Sequence, residues 1–322
     1  MKKIFVTRRI PEIGLKILQD QGYEVDIYPK DGVPSQAELL QNLQAKPYDA
    51  VLTLLTDKVD AAFLDAAPAA KIISNYAVGF NNIDVAEAKR RGVAVANTRG
   101  ASSDSVAEFT VALILALSTR LVEGDKFVRA GKFEGWSPML FLGTDLKGKT
   151  LGLVGAGNIG SQVAFLAARG LGMKIVYHDI VRNEKIEKEC GAMYEETFEN
   201  VLKDADFVTL HVPLLPSTHH FISAEHLKLM KPTAFIVNTS RGPVVDENAL
   251  VAALKSKVIA GAALDVFEFE PNLAAGLAEL SNVVLTPHIA SSRPTTRNEM
   301  SRLAAENIVD FFDGKTPNGL VQ

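Results

Sequence analysis

Residues Leu151-Gly152-Leu153-Val154-Gly155-Ala156-Gly157-Asn158-Ile159-Gly160 carry a short apolar run into Gly-x-Gly-x-x-Gly and then into a helical pattern over 159–169. Each glycine has a steric task. Gly155 permits the tight turn, Gly157 lets a pyrophosphate reach the backbone, and Gly160 lets the helix pack closely on the strand. The free amides and dipole at the start of that helix favour an anion. The next apolar run ends in Tyr177-His178-Asp179, with Asp179 lying 19 residues past Gly160. A carboxylate on the adenosine ribose is expected at about 20. Asp179 would repel a 2′-phosphate, so the pattern favours NAD; Arg182 nearby keeps NADP as the less favoured alternative.

Outward from this loop, short apolar runs alternate with longer amphipathic ones, the sign of parallel sheets with helical crossovers. Strands are expected at Lys3–Val6, Glu24–Ile27, Ala50–Leu54 and 71–74, with helices at 11–21 and 36–44. A second alternation places strands at 151–154, 174–177, Phe207–Leu210, 234–238, 259–264 and Val283–Leu285. Its helices include 159–169, 224–230 and 247–256. The expected fold class is α/β, with two doubly wound parallel-sheet domains, the larger a Rossmann dinucleotide-binding domain. A long helical stretch at 103–130 joins them, and a final helix at 295–312 stops at Asp313-Gly314, where glycine can take the left-handed cap conformation.

Composition narrows the class. At 322 residues the chain suits two domains of roughly 150 each. A hydrophobic share of 47% supports packed cores, and a net charge of −4 argues against a nucleic-acid partner. The single cysteine, Cys190, excludes an internal disulfide and carries no activating motif. The charged N-terminus lacks an apolar run of signal-peptide length, and the most apolar stretch, 111–117, is far short of the ~20 residues that span a bilayer. A cytoplasmic protein without a membrane partner is the expectation.

Ligands of open α/β sheets sit beyond the carboxyl ends of the strands. There the sequence places Thr239-Ser240-Arg241-Gly242, then Asp265 followed by Glu268 and Glu270, then Thr286-Pro287-His288. This set suits hydride transfer to a 2-oxo acid. Arg241 can hold a carboxylate and polarise the carbonyl with its fork of donors. His288 can protonate the carbonyl oxygen. Glu270 would favour the imidazolium and orient it, and Asp265 could accept a bond from the nicotinamide carboxamide.

Taken over nearly its whole length, the chain resembles the D-isomer-specific 2-hydroxyacid dehydrogenase family. The markers are Asn75-Tyr76-Ala77-Val78-Gly79-Phe80-Asn81-Asn82-Ile83-Asp84, the Gly155 loop, His211-Val212-Pro213-Leu214, Asn238-Thr239-Ser240-Arg241-Gly242, Ala263-Leu264-Asp265-Val266-Phe267 and Pro287-His288. The resemblance implies a catalytic trio of Arg241, Glu270 and His288. It implies a substrate carboxylate held by the amides of Val78 and Gly79, with Leu55 lining the pocket. Val106, Asn158, Ile159, Val212, Pro213, Thr239, Ser240 and Asp265 fall where the family contacts its cofactor. It further implies a substrate domain of 1–99 plus 289–322, a cofactor domain of 100–288, and homodimers formed through the cofactor domains. Trp136-Ser137-Pro138 and Phe141-Leu142-Gly143 bring the chain nearest to glyoxylate/hydroxypyruvate reductases within the family. The competing readings are a D-lactate dehydrogenase and an NAD-sensing corepressor on the same fold.

His219-His220 and His226 invite a metal reading, but adjacent histidines on a strand or helix point apart, so no metal is expected. Phe109, Val111, Leu113, Ile114, Leu117 and Leu121 recur at near-helical spacing, which core or dimer packing explains.

Overall fold

The computed structural model describes residues 1–321. In chain order the elements begin with β1 Lys3–Val6, α1 Glu12–Asp20, β2 Glu24–Ile27, α2 Gln36–Leu43, β3 Ala50–Leu54, α3 Ala61–Ala66, β4 Ile72–Tyr76, α4 Val85–Arg90 and β5 Ala94–Ala96. Next come α5 Ser103–Ser118, α6 Leu121–Arg129, β6 Thr150–Val154, α7 Asn158–Phe165, β7 Lys174–His178, α8 Glu184–Cys190, β8 Met193–Tyr194 and α9 Phe198–Asp204. The series closes with β9 Phe207–Leu210, α10 Ala224–Leu229, β10 Phe235–Asn238, α11 Glu247–Lys255, β11 Gly261–Leu264, β12 Val283–Leu285, α12 Pro294–Phe312 and β13 Leu320–Val321.

The chain divides into two units, Met1–Ser102 with Ser292–Gln322, and Ser103–Ser291. In the first, the sheet order is β13-β5-β4-β3-β1-β2, parallel except for β13 against β5. The returning helix α12 belongs to this unit because it seats on α1 and β4. Ser301 Oγ donates to the Pro11 carbonyl at 2.7 Å, Ser74 Oγ to the Ala304 carbonyl at 2.8 Å, and Tyr76 OH to the Arg297 carbonyl at 2.8 Å. A side chain at Gly14 would stand 2.3 Å from the Ser301 carbonyl oxygen, so the closeness of the α1–α12 crossing depends on that glycine.

In the second unit all seven strands are parallel, in the order β12-β11-β10-β9-β6-β7-β8. The order reverses between β6 and β9, which makes that point the crevice where doubly wound sheets bind ligands. Helices cover both faces, so the strands are apolar on both sides. Leu151, Leu153, Ile175 and Tyr177 pack with Leu113, Ile114 and Val163 of α5 and α7. Val154, Val208, Leu210 and Ile236 pack against Val201, Leu227 and Leu250 of α9, α10 and α11. Each fully buried leucine or isoleucine contributes about 1.5–3 kcal/mol over an exposed one.

The helical stretch expected at 103–130 is two helices bent by 63°. The hydroxyls of Ser118 and Thr119 turn back onto the Leu115 carbonyl, and Arg120 takes a left-handed φ of 55°. The Thr144 amide then caps the end of α5 through the Ser118 carbonyl at 2.8 Å. No single helix is long and apolar enough to cross a membrane. The helix expected at 159–169 is α-helical to Phe165 and finishes in a π turn over Leu166–Gly170. Gly314 does take the left-handed conformation after α12, at φ 74°.

Candidate active site

The switch point of the larger sheet is built by glycine geometry. Gly155 sits at φ 96°, and a Cβ there would lie 2.8 Å from the His211 backbone at the end of β9. At Gly160 a Cβ would lie 2.2 Å from the Gly155 carbonyl oxygen, so α7 lies hard against the turn. Gly157 differs: nothing stands within 4 Å of its missing side chain, leaving open space at the helix start. Asn158 and Ile159 form the first turn of α7, and Gly157 at its N-cap brings no side chain to its amides. A cradle open at Gly157 and closed at Gly155 and Gly160 fits a dinucleotide pyrophosphate.

At the end of β7 the Asp179 carboxylate accepts from the Ala156 amide of this turn at 2.6 Å. Asn183 adds a clamp that sequence reading missed: its Nδ2 donates to the Ala156 carbonyl at 2.6 Å and to Ser161 Oγ at 2.9 Å. Arg182 is held by Glu187, Nε to Oε1 at 2.7 Å and Nη2 to Oε2 at 3.1 Å. Arg182 and the Tyr177 hydroxyl together keep the Glu187 carboxyl below the usual carboxylate range. Val212 and Pro213 follow β9, partly buried and exposed respectively.

His211 is the other residue missed in this region. Its Nε2 is buried and has no hydrogen-bond partner, and burial pushes the imidazole down to about 4. A neutral ring therefore flanks the glycine turn near pH 7.

After β10, Asn238 folds the turn that presents Arg241. Its Oδ1 accepts from the Ser240 amide at 3.0 Å and hydroxyl at 2.8 Å, while its Nδ2 donates to the Arg241 carbonyl at 2.9 Å. Thr239 meets α5 through its hydroxyl, 2.9 Å from that of Thr110, which in turn donates to the carbonyl of buried Val106. Burial lowers the Arg241 guanidinium from its ordinary value, and the charge of Glu270 opposes that shift.

The Arg241 turn and the Glu270 turn touch backbone to backbone. A Cβ on Gly242 would fall 1.9 Å from the carbonyl carbon and oxygen of Phe267. Glu270 Oε1 accepts from the Phe267 amide at 2.9 Å, and Oε2 lies 3.1 Å from His288 Nδ1. Burial raises the Glu270 carboxyl, but the His288 hydrogen bond and charge, the Phe267 amide and the Arg241 charge outweigh it, leaving the group below its ordinary value. The structure thus brings Arg241, Glu270 and His288 together.

After β11, Asp265 lies sealed beneath the segment that carries His288. The residue has no exposed surface, and its carboxylate accepts from Thr286 Oγ1 at 2.7 Å, the Ile289 amide at 2.9 Å and the Ala290 amide at 2.8 Å. It braces the segment on which His288 sits at a left-handed φ of 55°.

Leu55, Val78 and Gly79 belong to the other unit, beyond the ends of β3 and β4. There the Val78 carbonyl accepts from Asn97 Nδ2 at 2.7 Å and the Gly79 carbonyl from Asn75 Nδ2 at 3.0 Å. Asn82 Nδ2 holds the Leu54 carbonyl at 3.1 Å. These asparagine amides order both loops from the carbonyl side.

The adjacent histidines do not point apart. They lie in a turn, with His220 at φ 50° and the two rings 4.1 Å apart and tilted by 31°. Among the described residues, His219, His220 and Glu268 are the group whose ligand atoms come within 4.8 Å of one another. Glu268 is already engaged on both oxygens, at 2.7 Å from His220 Nε2 and 3.1 Å from the Glu247 amide, so the cluster ties α11 to the Glu270 loop.

Residues 111–290 match the model of the D-isomer specific 2-hydroxyacid dehydrogenase NAD binding domain. A glyoxylate reductase of Thermococcus litoralis is 48% identical, covering 99% of this chain and 96% of the relative. A glyoxylate reductase of Korarchaeum cryptofilum is 47% identical, covering 99% and 95%. Among solved structures, a Thermus thermophilus protein superposes with a TM-score of 0.91 at 38% identity, over 99% of this chain and 100% of that one. An NADPH-dependent glyoxylate/hydroxypyruvate reductase of Sinorhizobium meliloti, complexed with NADP and malonate, gives 0.87 at 31% identity over 99% and 96%. The chain belongs to the D-isomer-specific 2-hydroxyacid dehydrogenases, oxidoreductases that act on CH–OH groups with a nicotinamide dinucleotide.

Proposed function

We propose that this dehydrogenase reduces small 2-oxo acids, glyoxylate and hydroxypyruvate foremost, and that NADH is its preferred reductant. Bound at the glycine turn, the nicotinamide dinucleotide supplies a hydride to the carbonyl carbon. Arg241 places positive charge beside the substrate carboxylate and carbonyl oxygen, where its partial desolvation strengthens the interaction. His288 donates the proton that turns the carbonyl oxygen into a hydroxyl. With Nδ1 committed to Glu270, that proton leaves from Nε2. Glu270 carries the balancing negative charge and fixes the ring. The positive charge this chemistry needs comes from side chains, so no metal is invoked.

The amides of Val78 and Gly79 hold the substrate carboxylate, with Leu55 beside the substituent at C2. The unit Ser103–Ser291 binds the cofactor, and Val106, Asn158, Ile159, Val212, Pro213, Thr239 and Ser240 contribute to its site. NAD is favoured because Asp179 sets a carboxylate where a 2′-phosphate would fall. A homodimer accounts for Leu121, Val128, Phe133, Trp136, Met139 and Leu142, large apolar residues exposed along one segment of the cofactor unit.

The observation that carries the reading is the Glu270–His288 hydrogen bond, set in charge contact with Arg241. The test follows NADH oxidation by absorbance with glyoxylate, hydroxypyruvate and pyruvate, repeated with NADPH. Turnover of the first two, lost by about 10²–10⁴-fold in His288→Asn, is expected. Faster turnover of pyruvate would make it a D-lactate dehydrogenase. Silence across the panel with intact NADH binding would leave a binding protein instead.

A further inference from the structure

Arg182 stands three residues beyond Asp179, in the loop that would border the adenosine ribose. Its long side chain and fork of donors are of the kind that binds phosphate oxygens in pairs. In this chain one edge of that fork, the pair Nε and Nη2, is already taken. Nε and Nη2 meet the two oxygens of Glu187 in a bidentate pair, and the guanidinium lies 5.5 Å from the Tyr194 ring. Glu187 is fixed in turn by α8 and by the Tyr177 hydroxyl at 2.6 Å, which also accepts from the Asn183 amide at 2.8 Å. The pair is therefore part of a network reaching back to the glycine turn through Asn183.

We infer that Glu187 is a specificity-determining residue: it latches Arg182 and withholds it from a 2′-phosphate on the adenosine ribose. Asp179 rejects the phosphate by repulsion, and Glu187 rejects it by occupying the one cation in the loop after β7 that could neutralise it. The two devices act through different atoms, so each can be removed alone. This inference rests on the preference for NAD proposed above.

The probes are 2′,5′-ADP and 5′-AMP, titrated calorimetrically into the full chain without substrate. Glu187→Gln keeps the partner for Tyr177 and removes the charge that holds Arg182. It is expected to tighten 2′,5′-ADP by about tenfold, with little change for 5′-AMP. Glu187→Ala should give the same Arg182-dependent gain, which guards against an effect peculiar to glutamine. Adding Arg182→Ala to either variant should abolish the gain. Unchanged binding of 2′,5′-ADP by both Glu187 variants overturns the inference. So does a gain that survives Arg182→Ala, since it would then come only from losing a negative charge. If the parent chain itself binds 2′,5′-ADP more tightly than 5′-AMP, the NAD preference fails, and the comparison with and without Arg182 still decides the latch.

Discussion

Replacing Gly242 by alanine adds one methyl group where the Arg241 turn meets the Glu270 turn. That carbon would stand 1.9 Å from the Phe267 carbonyl atoms and 2.4 Å from the Glu268 amide nitrogen, whereas ordinary contact begins at 3.4 Å. The backbones must part by roughly 1.5 Å, the difference between 3.4 and 1.9 Å. The obstacle is main chain on both sides, so no side chain can swing away to absorb it. Overpacking of this kind costs about 1–3 kcal/mol, or roughly 2–10 °C in Tm for a unit of this size. The larger effect falls on catalysis. Phe267 donates its amide to Glu270, and Glu270 holds His288, so a shift at Phe267 carries the acid away from Arg241. A misplacement near 1 Å costs about 10²-fold. We expect Gly242→Ala to lower kcat/KM for glyoxylate by about that factor while NADH affinity, read by fluorescence titration, stays unchanged. Gly157→Ala is the counterpart. With nothing within 4 Å it should melt within about 0.5 kcal/mol of the parent and lose nucleotide affinity instead. Full kcat/KM in Gly242→Ala, or unaltered NADH affinity in Gly157→Ala, would refute the reasoning.

Three further substitutions probe single contacts. Glu270→Gln takes the charged partner from His288 Nδ1 and loosens the ring, so kcat for glyoxylate should fall by about 10²-fold while NADH affinity holds; an unchanged kcat would detach Glu270 from the acid. Because the Glu270 carboxyl is held low in the folded chain, its stabilisation is complete above the ordinary carboxylate range and lost as pH falls through its depressed value. Melting of Glu270→Gln should therefore depend less steeply on acid, and an equal slope would contradict the sign. Asp265→Asn replaces an acceptor with a donor opposite a buried amide or hydroxyl, a loss of about 1–3 kcal/mol visible in urea titration, with kcat falling as the His288 segment loosens. Gly14→Ala should destabilise the chain by about 1–3 kcal/mol through collision with the Ser301 carbonyl, and a parental melting point would show that α12 can withdraw freely.

Much of the larger unit was legible because its determinants are local. Buried parallel strands read as short apolar runs, and the residues closing each one are the residues at its carboxyl end, so Asp179, Arg241 and His288 could be placed without tertiary information. What escaped depends on contacts distant in sequence. Arg120 turns left-handed just after Ser118, whose carbonyl Thr144 caps from 26 positions away, and no property of 103–130 announces it. Strands β5, β8 and β13 span only three, two and two residues, too few to show a period of 2. The close approach of the His219 and His220 rings arises from a turn that Glu268 completes, so the rule that neighbours point apart, sound within regular elements, did not apply.

The two carboxylates after β11 show what sequence position alone leaves open. Asp265 and Glu270 are both acids in the loop that follows the same strand, and either could face a cofactor or a histidine. Their surroundings assign them different work. Asp265 is sealed and meets three donors from 286–290, so it is spent on holding a backbone that carries His288 at positive φ. Glu270 keeps one oxygen on the Phe267 amide and turns the other to the imidazole, with its side chain still a third exposed. The imidazole gains and loses the proton, so its carboxylate partner must stay stable beside both a charged and a neutral ring, which the partly hydrated Glu270 can do and a sealed carboxylate cannot. Burial, rather than distance along the chain, therefore separates the brace from the partner of the acid.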